Sequence, residues 1–337
     1  MGVSVAAAPA QQVLCETPQE ARVSEPVCVY SGEALRRYGF PDGHPLGEDR
    51  QGAFWDEAVA RALDRAVLLG APRRASRDEI ERFHTKRHVD RVEHAEMRRI
   101  EFLDNGDTPV FPGIYEAAAT VVGSALDGLK RVIGGECRRT FQPIGGLHHA
   151  RRDSSAGFCV FNDLGVVIDT LRAEYGIQRV GYVDIDVHHG DGVFYAYEHD
   201  PDLIFADIHE DGRFLYPGTG YAHETGKGKA KGTKLNVPLA PGAGDKDFME
   251  VWPKVVAHLR ELRPQFIVFQ CGADGLEGDP LVHLRYSAQV HAHAARSLCH
   301  LATEFSAGRV MAFGGGGYNR ENLATAWCAV VRELLEA

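Results

Sequence analysis

The stretch VGYVDIDVHHGDG, residues 180–192, decides how this chain is read. Val180 to Val187 is an apolar, β-branched run of the kind that forms a buried strand. It nonetheless carries Asp184 and Asp186 and runs straight into His188, His189 and Asp191. Left unpaired in a core, each such charge would cost several kcal/mol, so something must partner them. Alternate residues of a strand share a face, which predicts Asp184, Asp186 and His188 as one row with neighbours about 6.5 Å apart. Two carboxylates and an imidazole together are a donor set for a divalent cation.

Outward from this stretch, short apolar runs recur at 27–30, 203–208, 234–239, 265–270 and 309–314. Helical patterns lie between them, at roughly 53–70, 114–133, 163–175, 246–262, 287–305 and 320–336. Strands alternating with helices predict an α/β chain, a single domain with a central, mostly parallel sheet and helices on both faces. Ligands in such folds bind beyond the carboxyl ends of the strands. There stand DVHHGDG after 187, CGADGLEGDP after 270, GGGGY after 313, and GGLHHA after the apolar segment around Ile144. Asp274, from a different strand end, is the natural third ligand beside Asp186 and His188. Three protein ligands leave a position open for water and substrate. A structural salt-bridge cluster is the competing reading, and it does not explain why a second strand also ends in aspartate.

Composition removes other classes. Lys and Arg number 37 against 47 Asp and Glu, a formal charge of −10, whereas nucleic-acid binding needs a basic face. That acidic balance would draw lysine-rich substrates at long range. The seven cysteines contain no C-x-x-C pair, which suits a reduced, cytoplasmic chain and neither a disulfide framework nor a zinc finger. No apolar run approaches the ~20 residues of a membrane span, and nothing marks an oligomeric interface. Residues 1–25 lack the basic start of a signal peptide and read as a flexible extension, leaving 26–337 as the catalytic domain. GKGKAKGTK at 226–234 lacks phosphate-loop spacing and reads as a solvated loop, and GGGG at 314–317 does not continue as a dinucleotide fingerprint.

Taken in order, DTPVFPGIYEAA (107–118), PIGGLHHA (143–150), GFCVFND (157–163), DIDVHHGDGV (184–193), HEDGRFLYPGTG (209–220), QCGADGLEGDPLVHL (270–284) and GGGGYN (314–319) resemble the zinc-dependent histone deacetylases. The likeness is nearest to their bacterial acetoin-utilisation-type relatives on the arginase–deacetylase fold. The resemblance implies Asp186, His188 and Asp274 as metal ligands. It implies His148 and His149 as the tandem histidines, oriented by Asp184 and Asp191 respectively, and Tyr318 as donor to the substrate carbonyl. Phe158 and Tyr216 would line an acyl-lysine channel with Gly146 near its floor, and Asp107 would grip substrate amides at the rim. Arg50 would face an inner acetate-release cavity. Cys159 reads as a packed thiol, since no base is assigned to it.

The implied cofactor is Zn²⁺, with Fe²⁺ also compatible with two carboxylates and one histidine. A structural K⁺ is implied around Asp184, Asp186 and His188, although Asp207 stands where relatives carry serine. The implied substrate is Nε-acetyl-lysine in a protein or peptide. A small acetylated amine such as an acetylpolyamine is the alternative, disfavoured by the neutral Leu281 where polyamine enzymes can carry an acid. A catalytically silent metal-binding module or a two-metal arginase activity is less consistent with the complete set of histidines and Tyr318.

Overall fold

The computed structural model describes residues 1–2 and 26–337; apart from Met1 and Gly2, the expected N-terminal extension lies outside the described residues. Eight strands, β1 (Val27–Tyr30), β2 (Leu68–Gly70), β3 (Arg139–Gln142), β4 (Val180–Asp184), β5 (Leu203–Glu210), β6 (Lys234–Leu239), β7 (Phe266–Gln270) and β8 (Val310–Phe313), form one sheet. Its order is β2-β1-β3-β8-β7-β4-β5-β6, and every pairing is parallel. The expectation of a mostly parallel sheet thus becomes a wholly parallel one.

Both faces are covered, as a parallel sheet requires. Along β7, Phe266 and Val268 join one buried cluster while Ile267 and Phe269 join the other. The helices Ile114–Gly134 and Asp163–Tyr175 cover the first face; Asp245–Leu262, Ala288–Phe305 and Arg320–Glu336 cover the second. The helix Ile114–Gly134 is buried almost all round, from Ala117 to Leu126 without a break, whereas Asp245–Leu262 buries a stripe of Phe248, Trp252, Val255 and Leu259.

Two expectations are corrected. The helical pattern at 53–70 is a helix only from Asp49 to Ala60. Ala62 then takes a left-handed conformation (φ 57°), and Leu68–Gly70 forms an edge strand paired with β1 alone. A three-residue edge strand is too short to display alternation. The second correction concerns β4, which stops at Asp184. Asp184 Oδ1 accepts the N–H of Asp186, and Asp186 Oδ1 accepts the N–H of His188, both at 3.0 Å. Each carboxylate folds onto the backbone two residues ahead, a local bond that competes with the ladder. Asp186 and His188 therefore lie on a turning segment and do not continue a strand row with Asp184.

Candidate active site

Strands β3, β8, β7 and β4 are neighbours at the centre of the sheet, so the segments following them converge. These segments carry His148 and His149, Tyr318, Asp274, and Asp186 with His188 and Asp191. One ligand atom each from Asp186, His188 and Asp274 lies within 4.8 Å of the others. His188 Nδ1 is 3.1 Å from both Asp186 Oδ1 and Asp274 Oδ2. Burial pulls the His188 imidazole down, but the two carboxylates outweigh it and lift it to about 10; burial and Asp186 push Asp274 up to about 7. Such a set, two buried carboxylates and a nitrogen around one point, fits a divalent cation. The remaining oxygens are fixed: Asp186 Oδ2 accepts from Gln270 Nε2 and Gly316 N–H at 2.8 Å, and Asp274 Oδ1 from Val187 N–H at 3.0 Å. Glycine is required around them, because a Cβ on Gly272 would sit 2.0 Å from Asp186 Oδ2 and one on Gly316 2.1 Å from Asp274 Oδ2. A second group of suitable side chains, Asp90, Glu93 and His94, is on the surface, and its two acids already pair with Arg77.

The structure brings together the two expected histidine pairs. His148 Nδ1 is 2.8 Å from Asp184 Oδ2, and His149 Nδ1 is 2.7 Å from Asp191 Oδ1. Their Nε2 atoms are 3.2 Å apart. The two carboxylates are not equivalent. Burial, then Asp207 and Asp186, push Asp184 up, and Tyr182 donates its hydroxyl to the same oxygen. Asp191 resists its burial and is held at about 2, because His149 and the Arg151 guanidinium (2.9 Å) both contact it. Burial and the neighbouring His148 lower His149 to about 4. His149 is thus a neutral imidazole with one nitrogen anchored on a firm carboxylate, the arrangement of a general base.

A channel of about 230 Å³ opens above these groups, lined by Asp107, Phe158, Tyr216, Leu281 and Tyr318 together with His149 and His188. Phe158 and Tyr318 meet edge to face at 5.9 Å, and Tyr216 meets His149 at 5.1 Å. Phe158 is held at φ 68°, a costly conformation for a bulky residue. Its N–H donates to Thr108 Oγ1 (3.0 Å) and its carbonyl accepts from Tyr38 (2.7 Å), which fixes the ring toward the channel. Asp279 ties two walls together by accepting the N–H groups of Tyr318 (2.8 Å) and Leu281 (3.1 Å). Burial pushes the Tyr318 phenol well up, so it keeps its proton. Asp107 is exposed at the rim.

Below the metal-type cluster, Gly146 lines a cavity of about 20 Å³ with Gly315 and Gly316. Arg50 is buried behind it, donating to the carbonyls of Gly315 (2.5 Å) and Gly317 (3.0 Å), its guanidinium 5.2 Å from the centre of a Trp327 ring. Cys159 is a buried thiol raised by desolvation, with Sγ on the Gly157 carbonyl at 3.4 Å. Asp207 is already engaged: its Oδ1 is 2.7 Å from His209 Nδ1 and its Oδ2 accepts Gly190 N–H at 2.9 Å.

Three supporting residues were not singled out from sequence. Gln270 closes β7, holds Asp186 and donates to the Gly146 carbonyl at 3.2 Å. Asp163 accepts the N–H groups of Gly146 (2.9 Å) and Leu147 (2.8 Å), locking the segment before the histidines. Arg151 braces Asp191. Asp163 closes the quoted segment GFCVFND and Arg151 directly follows PIGGLHHA, neither with a spacing that marks it, and Gln270 is a neutral amide at a strand end.

A model of the histone deacetylase domain matches residues 44–334. The chain is 34% identical to the acetoin utilization protein AcuC of Bacillus subtilis (strain 168), covering 91% of this chain and 81% of that protein. It is 32% identical to histone deacetylase RPD3 of Saccharomyces cerevisiae, covering 86% and 67% respectively. The crystal structure of the HDA15 HD domain superposes with a TM-score of 0.85 at 26% identity, covering 92% of this chain and 88% of that one. With the site geometry, these similarities establish that the chain belongs to the histone deacetylase family.

Proposed function

We propose that this protein hydrolyses the acetyl amide of Nε-acetyl-lysine in proteins or peptides, using one divalent metal ion. The observation that carries the reading is the placement of His149, His188 and Tyr318 at the base of one channel whose walls are Phe158, Tyr216 and Leu281. A narrow apolar shaft suits a lysine stem, and the reactive groups stand at its end.

Asp186, His188 and Asp274 would hold the ion, Zn²⁺ or Fe²⁺, and when bound it supplies Lewis acidity toward the amide carbonyl and toward water. The chain's own groups do the rest. His149 Nε2, unprotonated while Nδ1 is held by Asp191, takes the proton of the attacking water. The same nitrogen then delivers it to the leaving lysine amine, which would otherwise depart as an unstable amide anion. Tyr318 donates its retained proton in a hydrogen bond to the oxyanion. His148, shared between Asp184 and its neighbour, keeps the pair in register. Asp107 is placed to take substrate backbone amides at the rim, and Arg50 lies beside the small cavity through which acetate would leave. The potassium expectation has weaker support, because both Asp207 oxygens are already engaged, by His209 Nδ1 and by Gly190 N–H. A cytoplasmic site fits the six free buried cysteines among the described residues; no helix among these residues is long and apolar enough to cross a membrane.

The substrate class is tested by acetate release from an acetyl-lysine peptide and from acetylputrescine in parallel. The peptide should be turned over faster. Leu281→Glu should move the preference toward acetylputrescine, since a carboxylate at the mouth would pair with the distal amine. Wild-type preference for acetylputrescine would reassign the substrate to small amines.

A further inference from the structure

The channel is not the only opening on this face. A polar groove of about 620 Å³ begins at its mouth, where Asp107 and Tyr216 line both. Deacetylation as described above uses little of it. Three arginines line the groove: Arg87, Arg91 and Arg151. Arg87 is exposed, and its guanidinium has no hydrogen-bond or ion-pair partner among the described residues. Arg91 uses one nitrogen on the carbonyls of Phe102 (3.3 Å) and Leu103 (3.5 Å). Arg151 uses one nitrogen on Asp191, and its side chain is half exposed. Each guanidinium offers five N–H groups, so most of these donors are unspent.

Two of the groove's four acids are in the opposite state. Asp104 accepts the N–H groups of Gly106, Asp107 and Thr108 and the Thr108 hydroxyl. Asp191 is taken by His149 and Arg151. Ser154 donates to Asp153 at 3.4 Å, and Asp107 stands at the shared rim. Two of the four acids, Asp104 and Asp191, are thus engaged from within and two, Asp107 and Asp153, stay open to the groove, while the unspent guanidinium donors of Arg87, Arg91 and Arg151 outnumber those open carboxylates.

We propose that this groove is a subsite for the polypeptide flanking the acetylated lysine, and that it selects an Asp or Glu carboxylate there through Arg87 and Arg151. The inference rests on the acetyl-lysine reading above. Guanidinium groups suit carboxylates through paired, charge-assisted bonds. The net charge of −10 favours cationic partners at long range, but it is screened within about a Debye length, whereas the groove acts at contact. Arg151 also braces Asp191, so Arg87 is the cleaner residue to vary.

The test is kcat/KM on acetyl-lysine peptides differing only in Glu, Ala or Lys at each of the four positions on either side. Glu should exceed Lys by roughly tenfold at the best position, the size of one charge-assisted contact, and the ratio should shrink with added salt. In Arg87→Glu the order should invert within that variant, with an unchanged thermal melt because the fold does not use this guanidinium. Equal rates on all peptides, or a preference that survives Arg87→Glu, would overturn the subsite and leave deacetylation standing. No turnover of any peptide, nor of acetyl-lysine without flanks, would overturn the underlying reading and the subsite with it.

Discussion

Tyr318 is the side chain whose removal separates chemistry from binding. In the proposed mechanism Tyr318→Phe deletes one donor to the oxyanion and no metal ligand, so kcat should fall roughly 10²–10³-fold while metal content stays unchanged. Loss of metal in this variant would mean that the tyrosine is structural. Gly316 gives a different reading of the same centre. Its backbone needs no left-handed conformation, yet a Cβ would lie 2.1 Å from Asp274 Oδ2 and 2.9 Å from Asp186 Oδ2. Gly316→Ala should therefore abolish metal uptake, measured by equilibrium dialysis against Zn²⁺; full uptake would contradict the donor geometry. Asp186, His188 and Asp274 were legible as a group because ionisable residues ending two apolar strands demand a partner. Gln270 was not, because a neutral amide at a strand end carries no such demand. Its role emerges only when β7 and β4 are side by side and its Nε2 reaches Asp186.

At the level of elements, the strands β4, β5, β7 and β8 could be read because they are buried on both faces and appear as continuous apolar runs, whereas β3 carries Arg139, Thr140 and Gln142 and ends before the apolar segment around Ile144. The edge strand Leu68–Gly70 could not: it pairs on one side only, and Leu68 and Leu69 are exposed. The end of β4 was misread for a related reason. Val187 keeps the apolar pattern going, but side-chain bonds from Asp184 and Asp186 turn the backbone first. The same turning aims Asp186 and His188 at one point, so the departure from strand geometry is what assembles the site. Close packing between elements gives a further prediction. The helix Ile114–Gly134 lies against residues 73–75, with Ala75 N–H on the Ala119 carbonyl at 2.9 Å. A Cβ on Gly123 would meet the Arg73 carbonyl oxygen at 2.1 Å. Gly123→Ala should destabilise the fold by about 1–3 kcal/mol in urea unfolding, despite alanine's better helix propensity; a neutral or stabilising result would show that the segment yields.

Across the molecule, stability should depend on pH through buried histidines that supply no ligand to the metal-type cluster. His84, His88 and His291 are buried, each with Nδ1 unpartnered. Burial lowers all three, His88 and His291 to about 4 and His84 well below its ordinary value. Their folded values lie below the ordinary 6.5, so between about pH 6.5 and 4 the unfolded chain binds protons that the folded chain refuses. Stability is then complete above 6.5 and falls on acidification, by roughly 1.4 kcal/mol per pH unit for each histidine well inside that window. The melting temperature should drop between pH 7 and 5, and His88→Gln should flatten the slope; an unaltered slope would mean that these rings take up protons in the folded state. The fold class and the histidine-bearing strand ends were available from sequence at this scale too, because strands alternating with helices put strand ends on one side of a parallel sheet. The groove was not, since its arginines come from two distant segments with no motif. The decisive measurement is deacetylation of one acetyl-lysine peptide by protein stripped of metal and titrated with Zn²⁺, following acetate and bound metal together. Activity should rise from near zero and saturate at one ion per chain, and Tyr318→Phe should bind that ion without turning over the peptide. Full activity in the stripped protein, or a loaded chain that leaves the peptide intact, would contradict a single-metal lysine deacetylase.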